Sequence, residues 1–289
     1  MVAGITAVFT NLVLNYVLIF GHFGLPAMGV SGAALATVIS RFIELGIVAV
    51  WTHLHSKEYP FICGALRSPY IPLALLGRLI IRVSPLVVNE TMWSFAITFL
   101  NQCYTTCGLD VVNAINIVST LDNLANVMAG AMGNTIGILM GQMLGARISA
   151  QVIRDENRKL MALDLCAGFV IMGLMILVSG MFPRLYNTSD SIREMATILI
   201  VILAFSKPVR YFAMAAYYTI RSGGQTGLTF LYDCGFLWVI TVPVAFILSR
   251  YTDMTIIPLY LICQLPDFLK AFFGRYMVRR GGWIRNITL

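Results

Sequence analysis

Glu90 is the residue of this sequence whose type and position most demand an explanation. It stands in PLVVNETMWSF, within an apolar run and five positions after Pro85. A charge at the centre of a bilayer costs about 2.5–3.5 kcal/mol on insertion scales, so a retained acid needs a partner or a task. A partly desolvated carboxyl is drawn toward its neutral form and can take a small cation from one side and release it to the other. Asn89 and Ser94 stand close enough in sequence to help it hold H⁺ or Na⁺. The plainer reading is a Glu90 paired with Lys207 or Arg210 for assembly alone.

Asp122 is the second acid placed deep in an apolar run, with Asn126 and Gly130 continuing its helix face. It reads either as a cation site or as a water-touching vestibule residue. Lys207 and Arg210 flank Pro208 in AFSKPVRYFAMAAYY. They are expected to neutralise these acids or to line an aqueous cavity. Tyr211, Phe212, Tyr217 and Tyr218 nearby offer faces for flat or cationic molecules, against the commoner use of such rings as packing. Asp164, Asp233 and Asp267 read as capping or snorkelling groups near helix ends.

Other chemistry is excluded more easily. His22, His53 and His55 fall in turns, and Cys63, Cys103, Cys107, Cys166, Cys234 and Cys263 lack zinc-type pairing with them. The cysteines read as small packing residues. No nucleotide-binding glycine loop and no Ser/His/Asp grouping is present, so neither an enzyme nor an ATP-driven pump is expected. No cofactor is implied beyond H⁺ or Na⁺ as a coupling ion.

The elements that position these residues follow from composition. The chain has 289 residues, 58% hydrophobic and 11% charged, where soluble domains carry about 25% charged residues. Apolar stretches near the ~20 residues of a bilayer span cover 1–21, 29–52, 79–101, 112–141, 160–182, 192–219, 227–249 and 255–277. The expected fold is an all-α polytopic bundle of eight transmembrane helices. Residues 53–78, with Pro60, Pro69 and Pro72, read as an interfacial linker. It divides two helices (1–52) from a six-helix lobe with a basic tail (79–289). Gly133, Gly137, Gly141 and Gly145 lie four apart, as a seam for close helix packing in lipid requires.

The net charge of +7 forms no continuous patch, so no nucleic-acid partner is expected. The basic residues mark orientation instead, because cytoplasmic loops are enriched in Lys and Arg. One side receives Lys57, Arg67, Arg78 and Arg82, then Arg147, Arg154, Arg158 and Lys159, then Arg275, Arg279, Arg280 and Arg285. The other receives only Arg184, Arg193 and Arg250. Both termini are thus expected in the cytoplasm. Helices one and two, with Arg41 and Glu44 at i,i+3, have an echo in helices seven and eight, with Asp233, Asp267 and Lys270. Internal repeats are common in transporters, and chance similarity of short apolar segments is the competing reading.

Several ordered motifs resemble one family. LNYVLIFGHFGLPAMGVSGAALATVISRFIE resembles the fifth and sixth helices of the multidrug and toxic compound extrusion (MATE) transporters. GILMGQMLGAR resembles the end of their eighth helix, and TIRSGGQT the turn after their tenth. YDCGFLWVITVPVAF is similar to their eleventh helix, and GGWIRNIT to their basic tail. The resemblance covers essentially the whole chain. It implies helices five to twelve of a twelve-helix, two-lobed exchanger of H⁺ or Na⁺ for organic, often cationic, compounds. The first four helices would then be missing, in keeping with a Met1 that opens directly into an apolar helix. Glu90 matches the family's acidic position of helix seven, and Asp122 falls where bacterial relatives often carry an acid. Arg210 departs from members with an acid in helix ten and looks like the branch related to the DNA-damage-inducible transporters. Gln225 replaces the usual Asp.

The reading expected from residues and resemblance together is secondary efflux by H⁺ or Na⁺ antiport across the inner membrane. Glu90 and Asp122 would bind the cation, and Asn89, Ser94, Asn126, Lys207, Arg210 and Tyr211 would line the cavity. The partners would be the bilayer and small, cationic organic substrates, with the chain a monomer. Two other readings are a lipid-linked oligosaccharide flippase of the same superfamily, in which Lys207 and Arg210 meet a pyrophosphate, and a non-transporting membrane scaffold.

Overall fold

The computed structural model describes residues 2–24, 26–56, 73–146, 148–252 and 254–284, with the side chains of 2, 74, 78 and 82 left aside. The linker interior, with Lys57, Cys63 and Arg67, and also Arg147 and Arg285, lie outside the described residues. All regular structure among the described residues is helical. The long helices are α1 (Val2–Phe20), α2 (Gly29–Leu54), α3 (Leu73–Thr105), α4 (Leu109–Gly145), α5 (Ala150–Ser179), α6 (Asp190–Ser222), α7 (Thr226–Tyr251) and α8 (Ile256–Arg280). Seven of these eight are long and apolar enough to cross a membrane. The exception is α3, which is long enough; Asn89, Glu90 and its other polar residues dilute its apolar run.

The chain forms two compact units, Met1–Leu76 and Gly77–Leu289. In the first, α1 and α2 pack against each other. Gly32 permits this approach, since a Cβ there would lie 2.6 Å from the Leu18 carbonyl oxygen. Asn11 donates from its side-chain amide to Thr37 Oγ1 and Ser40 Oγ, each at 3.4 Å, and Asn15 donates to Asn11 Oδ1 at 3.0 Å. Interhelical polar bonds of this kind stabilise association where lipid offers no hydrophobic drive. Arg41 and Glu44 pair with each other at 2.7 Å on the surface of α2.

In the second unit α6 is the hub. It packs against α4, α5 and α8 and is the most buried of the apolar helices. Its sequence explains the role: Ala196, Ala204, Ala213, Ala215 and Ala216 are buried, and small side chains let neighbouring backbones approach. Gly168 of α5 meets the kink-prone Pro208 from across the interface, where a Cβ would sit 2.7 Å from the Pro208 Cα. Gly274 of α8 does the same toward Ala216 and Tyr232. The glycine seam of α4 is used at one end only. A Cβ at Gly133 would lie 2.4 Å from the Tyr218 ring, whereas Gly141 and Gly145 face open space.

The seventh helix is irregular. Two π-helical segments, Leu231–Gly235 and Leu237–Thr241, interrupt its α-helical ends. Such widened turns concentrate at functional positions, and the first of them carries Asp233.

Candidate functional site

Within the second unit, α3, α4, α6, α7 and α8 surround a cavity of about 330 Å³. Its wall carries Glu90, Arg210, Arg221, Asp233, Asp267 and Lys270, with Trp93, Tyr211, Tyr217, Tyr218 and Phe236 between them. The charges are arranged in pairs. Lys270 Nζ lies 2.6 Å from Asp233 Oδ1. Arg210 lies 3.6 Å from Asp267 and 3.8 Å from Asp122. Arg221 lies 3.7 Å from Glu90.

Behind the wall, Lys207 is completely buried and donates to Asp122 and, at 3.1 Å, to Asn126 Oδ1. Asn126 in turn donates to Asp122 Oδ2 at 3.2 Å. Burying an ammonium is strongly unfavourable unless it is paired and hydrogen-bonded, and these two α4 side chains satisfy that demand. Asn89 performs a similar service for Asp233, donating to its carboxylate at 3.3 Å and lying 3.4 Å from the Tyr217 hydroxyl. The Cys234 thiol donates back to Asn89 at 3.2 Å, and Trp238 donates to the Met92 carbonyl at 3.0 Å. The Tyr211 hydroxyl donates to the Ala125 carbonyl at 2.7 Å, which fixes α6 on α4.

The network balances: Glu90, Asp122, Asp233 and Asp267 face Lys207, Arg210, Arg221 and Lys270, four acids for four bases. The members are unequal. Asp122 is held by two cations and an amide. Glu90 has a single, longer partner, and its side chain is 60% exposed. Arg221 also lies over the rings of Tyr217 and Tyr218, at 5.8 and 5.9 Å. One guanidinium therefore occupies both the acid and the aromatic faces.

Of the residues singled out from sequence, Glu90, Asn126, Arg210 and Tyr211 line the cavity, and Asn89, Asp122 and Lys207 bond to its wall. Ser94 is exposed on α3 and is not part of the lining. Glu90 pairs with Arg221, not with Lys207 or Arg210. Three acids read as helix-end groups behave otherwise. Asp233 and Asp267 belong to the cavity. Asp164 is wholly buried in α5, and neither of its carboxyl oxygens has a hydrogen-bond partner among the described residues. Arg221, Asp233, Asp267 and Lys270 are the members that sequence reasoning did not place in the site. The signal available for Asp267 and Lys270 was their i,i+3 spacing, which suggested a pair between themselves; each reaches to another helix instead.

Comparison with known proteins fits this architecture. The family model MatE matches residues 86–247, more than half of the 289 residues. The chain belongs to the MatE family. Two similar curated proteins are "Probable multidrug resistance protein YoeA" of Bacillus subtilis (strain 168), 25% identical over 86% of this chain and 53% of its own length, and "Probable multidrug resistance protein NorM" of Thermotoga maritima, 24% identical over 100% and 61%. This MatE chain thus spans about half to three-fifths of their length. Solved structures share the fold. A MOP superfamily transporter from Pyrococcus furiosus superposes with a TM-score of 0.81 at 19% identity, covering 98% of this chain and 62% of the other. The Vibrio cholerae MATE transporter VcmN in its bent form gives 0.76 at 17%, covering 97% and 61%. The MatE chain is accordingly a multi-pass membrane protein of a transporter family, not an enzyme.

Proposed function

We propose that this MatE chain forms the second lobe and part of the first in a secondary exporter of the inner membrane, with both termini in the cytoplasm. Its cargo is small, organic and cationic, and its driving ion is H⁺ or Na⁺. The observation that carries this reading is the charge-balanced cavity, in which Glu90 has the weakest hold on its partner. A cation arriving at Glu90 competes with Arg221. Release of Arg221 uncovers Tyr217 and Tyr218 and adds positive charge to the cavity, which disfavours a cationic cargo. Loss of the cation restores the Glu90–Arg221 pair and reverses both effects. Exchange follows, because the empty cavity carries four acids for four bases, and each cationic occupant leaves one surplus positive charge that opposes entry of the other.

Asp122 contributes differently. Its carboxylate neutralises the buried Lys207 and draws Arg210, so a cation reaches it only by breaking a bonded cluster. We therefore assign Glu90 the first role in coupling and Asp122 the role of holding the polar cluster beside it. Asn126 and Tyr211 position this cluster, Lys207 and Arg210 set its charge, and Asn89 holds Asp233 on the facing wall. The oligosaccharide flippase finds less support. A pyrophosphate calls for surplus positive charge, and each base on this cavity wall faces an acid.

Glu90→Gln in a full-length transporter tests the proposal. Cation-driven efflux from vesicles is expected to fall at least tenfold, with membrane insertion unchanged. Efflux equal to the parent under both H⁺ and Na⁺ gradients would remove Glu90 from the mechanism.

A further inference from the structure

A second cavity, of about 460 Å³, lies where α5 begins and α8 ends. Four arginines line it: Arg154 and Arg158 from α5, Arg275 and Arg279 from α8. Both helices pack on α6, which contributes Phe212 to the wall. The segment after α8 turns back at Gly281, with φ of 72°, and places Trp283 against the cavity. Trp283 is 1% exposed, and its indole donates to the Val278 carbonyl at 3.1 Å. This closure is tight: a Cβ at Gly223 would lie 2.0 Å from the Trp283 carbonyl oxygen. The cavity therefore has a rigid, apolar inner surface and a cationic rim.

The rim charges are not used inside the protein. All four arginines are exposed, and among the described residues none is within 4.0 Å of a carboxylate. Nearby Glu156 is taken by Lys159 at 2.7 Å. The contrast with the first cavity is sharp, since there each base meets an acid. Four guanidiniums about one space repel one another and call for an anion from outside. Their position tells which kind. Further along the same helices, Leu163 of α5 and Phe272 and Tyr276 of α8 are exposed apolar or aromatic residues. The cavity thus sits at the edge of the lipid-facing surface, at the depth of headgroups.

We propose that this cavity binds the phosphate headgroup of an anionic phospholipid. The guanidinium forks match phosphate oxygens in bidentate fashion, and the half-buried Leu165, Phe212 and Val278 of the wall receive the glycerol and the first methylenes. The site is separate from the ion-pair cavity, and its occupancy does not depend on the export reading. With both termini cytoplasmic, the lipid belongs to the inner leaflet.

The test uses the purified full chain in neutral detergent. Native mass spectrometry and tryptophan fluorescence follow titration with short-chain phosphatidylglycerol, phosphatidylcholine and inorganic phosphate. Saturable binding of phosphatidylglycerol is expected, at least tenfold tighter than phosphatidylcholine and not displaced by millimolar phosphate. R158Q/R275Q should weaken it tenfold or more, R158K/R275K less, and R184Q/R250Q not at all. Equal binding of the two lipids overturns the proposal, as does equal weakening by R184Q/R250Q. Displacement by free phosphate assigns the site to a soluble anion and overturns it too. The wild-type comparison decides even if a glutamine variant fails to fold.

Discussion

At the scale of residues, the Asp122–Lys207 pair illustrates why a buried charge is read by its partners. Lys207 has no exposed surface, and Asp122 with Asn126 supplies its acceptors. Removing one member of a buried pair costs about 3–5 kcal/mol, while replacing both by apolar groups is often neutral or stabilising. Asp122→Leu is therefore expected to lower stability by that amount, and Asp122→Leu with Lys207→Met to recover most of it. Denaturant unfolding of the four members of this cycle in detergent measures the coupling. Export activity should stay low in the double variant, because Arg210 loses one of its two acids and Asn126 its cation. Asp164 is the counter-example. Read from sequence as a helix-end group, it stands midway along α5, which begins at Ala150, and is buried with neither carboxyl oxygen bonded among the described residues.

At the scale of elements, close packing is local. The four glycines of α4 look equivalent in sequence, yet only Gly133 and, more loosely, Gly137 meet Tyr218. Gly133→Ala forces the Tyr218 ring to move. Overpacking of this kind costs about 1–3 kcal/mol, and here it also disturbs a cavity wall, since Tyr218 lines the site. Gly141→Ala adds a methyl to open space and should leave both stability and cargo affinity unchanged. Thermal unfolding and cargo binding measured on the two variants separate these outcomes. The π-helical turns of α7 are a second element-scale feature. They bring Asp233 to Lys270 of α8 and to Asn89 of α3.

At the scale of the whole molecule, the orientation drawn from basic residues makes a direct prediction. In a cysteine-free background, a single cysteine at Ser189, between α5 and α6, should react with an impermeant maleimide from outside intact cells. One at Ser149, between α4 and α5, should react only after permeabilisation. The reverse pattern would invert the topology and place the arginine-lined cavity at the outer leaflet.

Hydropathy, basic-residue asymmetry and ordered motifs are properties of a one-dimensional string. They suffice for an eight-helix membrane bundle of this family, because a bilayer imposes span length and backbone satisfaction on any chain. They also brought out Glu90, Asp122, Lys207 and Arg210, since a charge in an apolar run is visible without coordinates. The pairing could not be read this way. Arg221 and Asp233 stand near helix ends, while Asp267 and Lys270, midway along α8, are spaced as a pair with each other. Asn89 and Asp233 meet across 144 positions and Lys207 and Asp122 across 85. Which acid faces which base depends on helix rotation and on the small residues of α6 that set interhelical distance. Only the packed structure decided that Glu90 is the loosely held acid, and that four arginines from two helices share one unpaired cavity.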